Sequence, residues 1–183
     1  MKYVACYGDS LVQGFPFGPH YSWTAQVEKL TQIKMLNYGV CGDCCDDIIY
    51  RMRQYALPEY VHHVLFLGGA NDILQGRRLE DISRDYKRVL EWCEEKQYSL
   101  CVVLPFISTE QALNRQLLNL RQEAEHICGK AFLLDLQPAI GMDAGARFKA
   151  YVDGIHPKSQ TYEAMGSYAA PLIWKWLKDE KEA

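Results

Sequence analysis

His63-Val64-Leu65-Phe66-Leu67-Gly68-Gly69-Ala70-Asn71-Asp72 is the stretch that decides the fold. From Val64 to Leu67 no polar residue interrupts the run. A strand with one face in water alternates polar and apolar side chains, so a continuous run implies cover on both faces. Parallel sheets have that property, because their crossover helices pack against both sides. Gly68-Gly69 ends the run, and polar residues follow at once.

Outward from this segment the pattern repeats. Lys2 to Tyr7, Met35 to Tyr38, Leu100 to Leu104 and Ala131 to Leu136 are four more strand candidates, two of them closed by Gly8 and Pro105. Helical spacing fills the intervals. Trp23, Val27 and Leu30 form one stripe with Ser22 as N-cap, and Ile48, Ile49, Met52 and Tyr55 form another within residues 46–56. Ile82, Tyr86, Val89 and Cys93 give a third, and Leu113, Leu117, Leu120, Ala124 and Ile127 a fourth. Residues 159–177 read as a last helix, in which Pro171 forces a kink or a restart. Residues 8–19 read as a loop and 137–152 as an irregular segment, while the charged tail from Lys178 to Ala183 is expected to fray. Strands alternating with helices predict the α/β class: five parallel strands between two helical layers, in one domain over residues 1–183.

Composition narrows the function. A formal net charge of −3 gives no basic footprint for nucleic acid, and Arg51/Arg53 and Arg77/Arg78 read as solvated pairs. No apolar run approaches the roughly 20 residues needed to span a bilayer. The sequence enters a strand directly, and cleavage of a leader would remove the polar residues after it, so a cytoplasmic location is expected. The 7 cysteines, an odd number, point to reduced thiols. Cys41, Cys44 and Cys45 lack a second pair to complete a zinc tetrahedron, and no metal or cofactor is expected.

Open α/β sheets bind ligands beyond the carboxyl ends of their strands. Three polar clusters stand there: Gly8-Asp9-Ser10, Asn37 through Asp43, and Gly69-Ala70-Asn71-Asp72. Each alone reads equally as a turn or a cap. Together with Asp153-Gly154-Ile155-His156-Pro157 they resemble, in order, the four sequence blocks of the GDSL (SGNH) hydrolases. The likeness runs from residue 8 to 157. It implies a flavodoxin-like α/β/α sandwich and a serine esterase acting on a small-molecule ester through an acyl-enzyme. Ser10 would be the nucleophile, His156 the base and Asp153 the orienting acid. The oxyanion donors would be the backbone N–H groups of Ser10 and Gly42 and the side-chain amide of Asn71. One departure is Thr161-Tyr162, where many members of that family have a glycine.

Elementary chemistry supports the same roles. A serine hydroxyl needs an adjacent base, and imidazole, with a pKa near ~6.5, suits neutral pH. Asp153 precedes His156 by three residues, so one short turn can carry both. Asn71 offers an uncharged donor, and a glycine at 42 leaves room for substrate against backbone. Asp9 and Asp72 are read as structural, Asp72 as a cap for the segment after it. Phe15, Phe17, Ile73, Leu74, Phe148 and Ile155 are either acyl-pocket or packing residues, and His20 is a further candidate for the site's edge. Short loops favour a small acyl group such as acetyl. An acyltransferase or a non-catalytic carbohydrate-binding module on the same fold is the alternative. A two-metal phosphoesterase would need more histidines and carboxylates at the strand ends.

Overall fold

The computed structural model describes residues 1–179. Five strands, β1 (Tyr3–Gly8), β2 (Lys34–Gly39), β3 (His63–Leu67), β4 (Ser99–Val103) and β5 (Phe132–Leu134), form one sheet in the order β2-β1-β3-β4-β5. Every pairing is parallel. The expected strands are all present, shifted by a residue or two at their ends. Those positions of the expected frayed tail that follow 179 lie outside the described residues.

The helices are α1 (Ser10–Gln13), α2 (Trp23–Thr31), α3 (Cys45–Gln54), α4 (Ala70–Leu74), α5 (Leu79–Glu95), α6 (Gln111–Ile127), α7 (Gln137–Ile140), α8 (Ala144–Ala150) and α9 (Ser159–Asp179). Alternate strand residues feed two separate cores. Val4, Cys6, Leu65, Leu67, Cys101 and Val103 pack beneath α2 and α9, against Trp23, Val27, Tyr162 and Ile173. Ala5, Tyr7, Val64, Phe66, Leu100 and Val102 face the other way, against α3, α5 and α6. This period of two, with both faces buried, is why the strands read as unbroken apolar runs.

Four differences from the sequence reading have physical causes. Ser10–Gln13 and Ala70–Leu74 are helical, but one turn is too short to display a period. Residues 137–152 hold α7 and α8; in α8 only Ala150 is buried, so no apolar stripe marks it. The helix α9 runs unbroken through Pro171, without a restart. Tyr55 lies just beyond α3 as its C-cap and is exposed.

Candidate active site

The chain leaves β1 toward β2 on one side and reaches β3 on the other, which makes the crevice beyond β1 and β3 the switch point of the sheet. Asp9 caps α1: its Oδ1 accepts the Leu11 N–H at 2.8 Å, turning the strand sharply into the helix. Ser10 therefore sits at the end of β1, only 7% exposed.

His156 reaches it from far along the sequence. The Ser10 Oγ and His156 Nε2 are 2.9 Å apart, and His156 Nδ1 is 2.7 Å from Asp153 Oδ2. The other carboxylate oxygen of Asp153 accepts the N–H groups of Ile155 (3.1 Å) and His156 (2.9 Å). Asp153 thus shapes the turn and aligns the ring together. Burial would raise its carboxyl, but the bonds from the His156 backbone, the His156 ring and Ile155 outweigh this and hold it below the usual carboxylate range. With Nδ1–H donating to a carboxylate, Nε2 is left to accept from the serine hydroxyl.

Neighbouring segments fix this turn. The Val152 N–H donates to His156 O at 2.8 Å, and the Thr109 N–H in the β4–α6 loop donates to Gly154 O at 2.9 Å. The Tyr151 hydroxyl donates to Ile107 O at 2.7 Å. Phe15 stands edge-on to the imidazole, ring centres 4.7 Å apart, and is 40% exposed. It forms one wall beside the base.

The expected donors lie beyond the ends of three adjacent strands, β1, β2 and β3. Neither the Ser10 N–H nor the Gly42 N–H is engaged by another group among the described residues. Asn71 Nδ2 donates to Asp43 O at 2.9 Å and approaches Asp9 Oδ2 at 3.4 Å, which holds the amide beside the residue preceding Ser10. The backbone gives a second reason for glycine at position 42. An added Cβ would meet nothing within 4 Å, but its φ of +86° is one that L side chains rarely adopt.

Several side chains stand elsewhere than expected. Arg51 and Arg77 are paired and only partly exposed: Arg51 bonds to Asp43, and Arg77 to Asp46, Asp72 and Asp85. Asp72 does not cap its own helix; it is fully buried and accepts the Cys45 N–H at the start of α3. A polar hint was present for Arg51, which follows buried Ile48 by three residues and so shares its side of the helix. Ile73 belongs to the core, whereas Phe17, Leu74 and Phe148 are exposed and Ile155 is half-buried. His20 lines a separate hollow with Thr24, Glu28 and Met35. A larger cavity, about 680 Å³ and lined by Met1, Ile33, Trp174 and Leu177, lies at the amino ends of the strands, away from Ser10.

All seven cysteines are free thiols. Cys44 is buried, and burial pushes its thiol up to about 11. Its sulfur lies near the carboxylates of Asp46 and Asp72, a grouping small enough for a metal ion. The Arg77 guanidinium is bonded to both of those carboxylates, so the local negative charge is already balanced.

A flavodoxin-like sheet with hydroxyl, imidazole and carboxylate aligned at its switch point puts the protein among the α/β/α hydrolases of ester bonds. The chain belongs to the GDSL-like lipase/acylhydrolase family, whose model matches residues 6–164. Similar solved structures include a G-D-S-L family protein of Desulfitobacterium hafniense DCB-2, at 22% identity and a TM-score of 0.84, covering 94% of this chain and 99% of that one. Another, from Veillonella parvula DSM 2008, is 17% identical with a TM-score of 0.83, over 96% and 100% of the two chains. The psychrotrophic esterase EstA of Pseudoalteromonas sp., inhibited by monoethylphosphonate, is 16% identical with a TM-score of 0.76, over 97% and 99%. Comparison with curated proteins returns no significant match. Among the described residues no helix is long and apolar enough to cross a membrane.

Proposed function

We propose that the protein hydrolyses carboxylic esters of small molecules through an acyl-Ser10 intermediate. The observation that carries this reading is the continuous chain Ser10 Oγ, His156 Nε2, His156 Nδ1, Asp153 Oδ2, with contacts of 2.9 and 2.7 Å. As Ser10 Oγ bonds to the ester carbon, its proton passes to His156 Nε2 and the carbonyl electrons move onto oxygen. The N–H groups of Ser10 and Gly42 and the amide of Asn71 receive that oxyanion. His156 then gives the proton to the departing alkoxide, and Asp153 stabilises the imidazolium in between. Water, activated by the same imidazole, releases the acid and restores Ser10.

A short acyl group, acetyl above all, is the preferred substrate portion. Support comes from the turn carrying Asp153, whose side chain is 48% exposed. A carbohydrate-binding module has no use for an aligned triad, and Ser10, Asp153 and His156 are all present. An acyltransferase would share every step up to the acyl-enzyme and differ only in the acceptor.

The test is a chain-length series of p-nitrophenyl esters with wild type and Ser10→Ala. Turnover is expected to be fastest on the acetyl and butyryl esters and to fall about 10³-fold or more in the variant. A fluorophosphonate probe should add once, on Ser10, by mass spectrometry. Labelling on a cysteine instead, or equal turnover by Ser10→Ala, would defeat the proposal. Adding a primary alcohol separates the two chemistries: free acid as the main product supports hydrolysis, and a new ester supports transfer.

A further inference from the structure

Arg51 lies in α3, about two turns from its start, and its guanidinium reaches three elements of the site at once. Its Nε donates to Asp43 Oδ2 at 2.7 Å, its Nη1 to Tyr38 O at 2.7 Å and its Nη2 to Gly8 O at 3.1 Å. A further Nη2–Asp43 Oδ2 contact is also 2.7 Å. Each partner sits at a place that matters. Gly8 ends β1, two residues before Ser10, and its carbonyl also accepts the Val40 N–H at 3.0 Å. Tyr38 is near the end of β2, where the loop carrying Gly42 departs. Asp43 follows Gly42 directly, and its carbonyl is the acceptor that holds the Asn71 amide at 2.9 Å.

We infer that Arg51 and Asp43 form a clamp that positions all three candidate oxyanion donors. This inference rests on the ester-hydrolase reading and adds positioning residues to it. Neither side chain touches the reacting atoms. One guanidinium fixes the end of β1 that presents the Ser10 N–H. Through Asp43 it fixes the left-handed turn that aims the Gly42 N–H, and through the Asp43 carbonyl it fixes Asn71. A planar fork with five N–H donors can serve three acceptors in fixed directions, whereas an ammonium acts as a single point charge. The Asp43–Arg51 pair is partly buried, with side chains 15% and 26% exposed, which spares it the full screening of a surface pair. Donors placed for an oxyanion lose their value with small displacements, and an error of about 1 Å can cost roughly 10²-fold in rate.

The experiment compares Arg51→Lys, Arg51→Met, Asp43→Asn and the double variant Arg51→Met/Asp43→Asn with wild type and Ser10→Ala. Steady-state kinetics on p-nitrophenyl acetate, fluorophosphonate labelling rates and thermal melts are measured on each. Asp43→Asn keeps both shape and main chain, so it remains informative should Arg51→Met fail to fold. Each single variant is expected to lose about 10–10²-fold in kcat with KM within about threefold of wild type. Fluorophosphonate labelling of Ser10 should slow in parallel. The double variant should fall little further than the worse single one, because both changes open the same clamp. Wild-type kcat in Arg51→Lys, a rise in KM at unchanged kcat, or fully additive losses would overturn the inference. So would losses that simply follow the fraction unfolded. Ser10→Ala separates the two levels: if it stays active the hydrolase reading itself fails, and the clamp with it, whereas inactive Ser10→Ala beside unimpaired clamp variants defeats the clamp alone.

Discussion

Gly42 and Asn71 separate two kinds of requirement at single residues. Gly42 has open space where a Cβ would stand, so Gly42→Ala meets only the backbone cost of φ +86°, about 1–2 kcal/mol. The variant is expected to fold, with a loss of turnover larger than its loss of stability, as a melt and an esterase assay on one sample would reveal. Asn71→Ala removes a donor and leaves the Asp43 carbonyl without its partner; kcat should fall about 10²–10³-fold while KM changes little. Asp9 makes a prediction about pH. Burial pushes its carboxyl up to about 7, against about 3.9 in an unfolded chain. The folded state therefore holds the proton more tightly, so this contribution to stability is complete below about pH 4 and is lost as pH rises through about 7. Melting temperatures of wild type should decline relative to Asp9→Asn between pH 5 and 8; parallel curves would refute the assignment. Ser10 stood out in the sequence as a polar residue just after a strand, and Asp153 and His156 through the resemblance of Asp153-Gly154-Ile155-His156-Pro157 to the family's last block. Arg51 was hinted at by its place three residues after buried Ile48, but its pairing with Asp43 was not, since an ion pair eight residues apart leaves no periodic trace.

At the scale of elements, two contacts dominate the placement of helices around the site. Arg77, after α4, binds Asp72 and Asp85, whose side chains are only 0% and 4% exposed, and thereby ties α4 to α5. Asp72 in turn holds the first N–H of α3. Removing one partner from such a buried pair leaves an uncompensated charge, so Arg77→Leu should cost about 3–5 kcal/mol in denaturant melts. On the opposite face α2 crosses α9 at Gly166. A Cβ there would meet the Trp23 carbonyl oxygen at 2.6 Å and Gln26 Cβ at 2.5 Å. Gly166→Ala should therefore destabilise by about 1–3 kcal/mol although alanine is the better helix former. The longer helices were readable from their apolar stripes. Of the short ones, α1 and α8 are capped by side chains: Asp9 Oδ1 takes the Leu11 N–H and Asp143 Oδ1 the Ala146 N–H, each at 2.8 Å. A four-residue turn has no period to read.

The whole molecule divides into a carboxyl edge that carries the candidate chemistry and an amino edge that carries the larger cavity. The strand pattern alone predicted the first half of that division, because the switch-point rule needs only strand order and direction. It was silent about the second, which arises where Met1, Ile33 and Trp174 from distant parts of the sequence meet.

His156 and Asp153 are made together on one turn, while Ser10, Gly42 and Asn71 all lie in the first half of the chain. On the proposed mechanism, a ribosome has therefore built the attacking group and its whole receiving cradle long before the proton carrier exists. A growing polypeptide would meet cellular esters with an inert hydroxyl. Cleavage would begin only when the segment after β5 has emerged and folded back across the sheet, so the timing of synthesis itself would act as a safety catch.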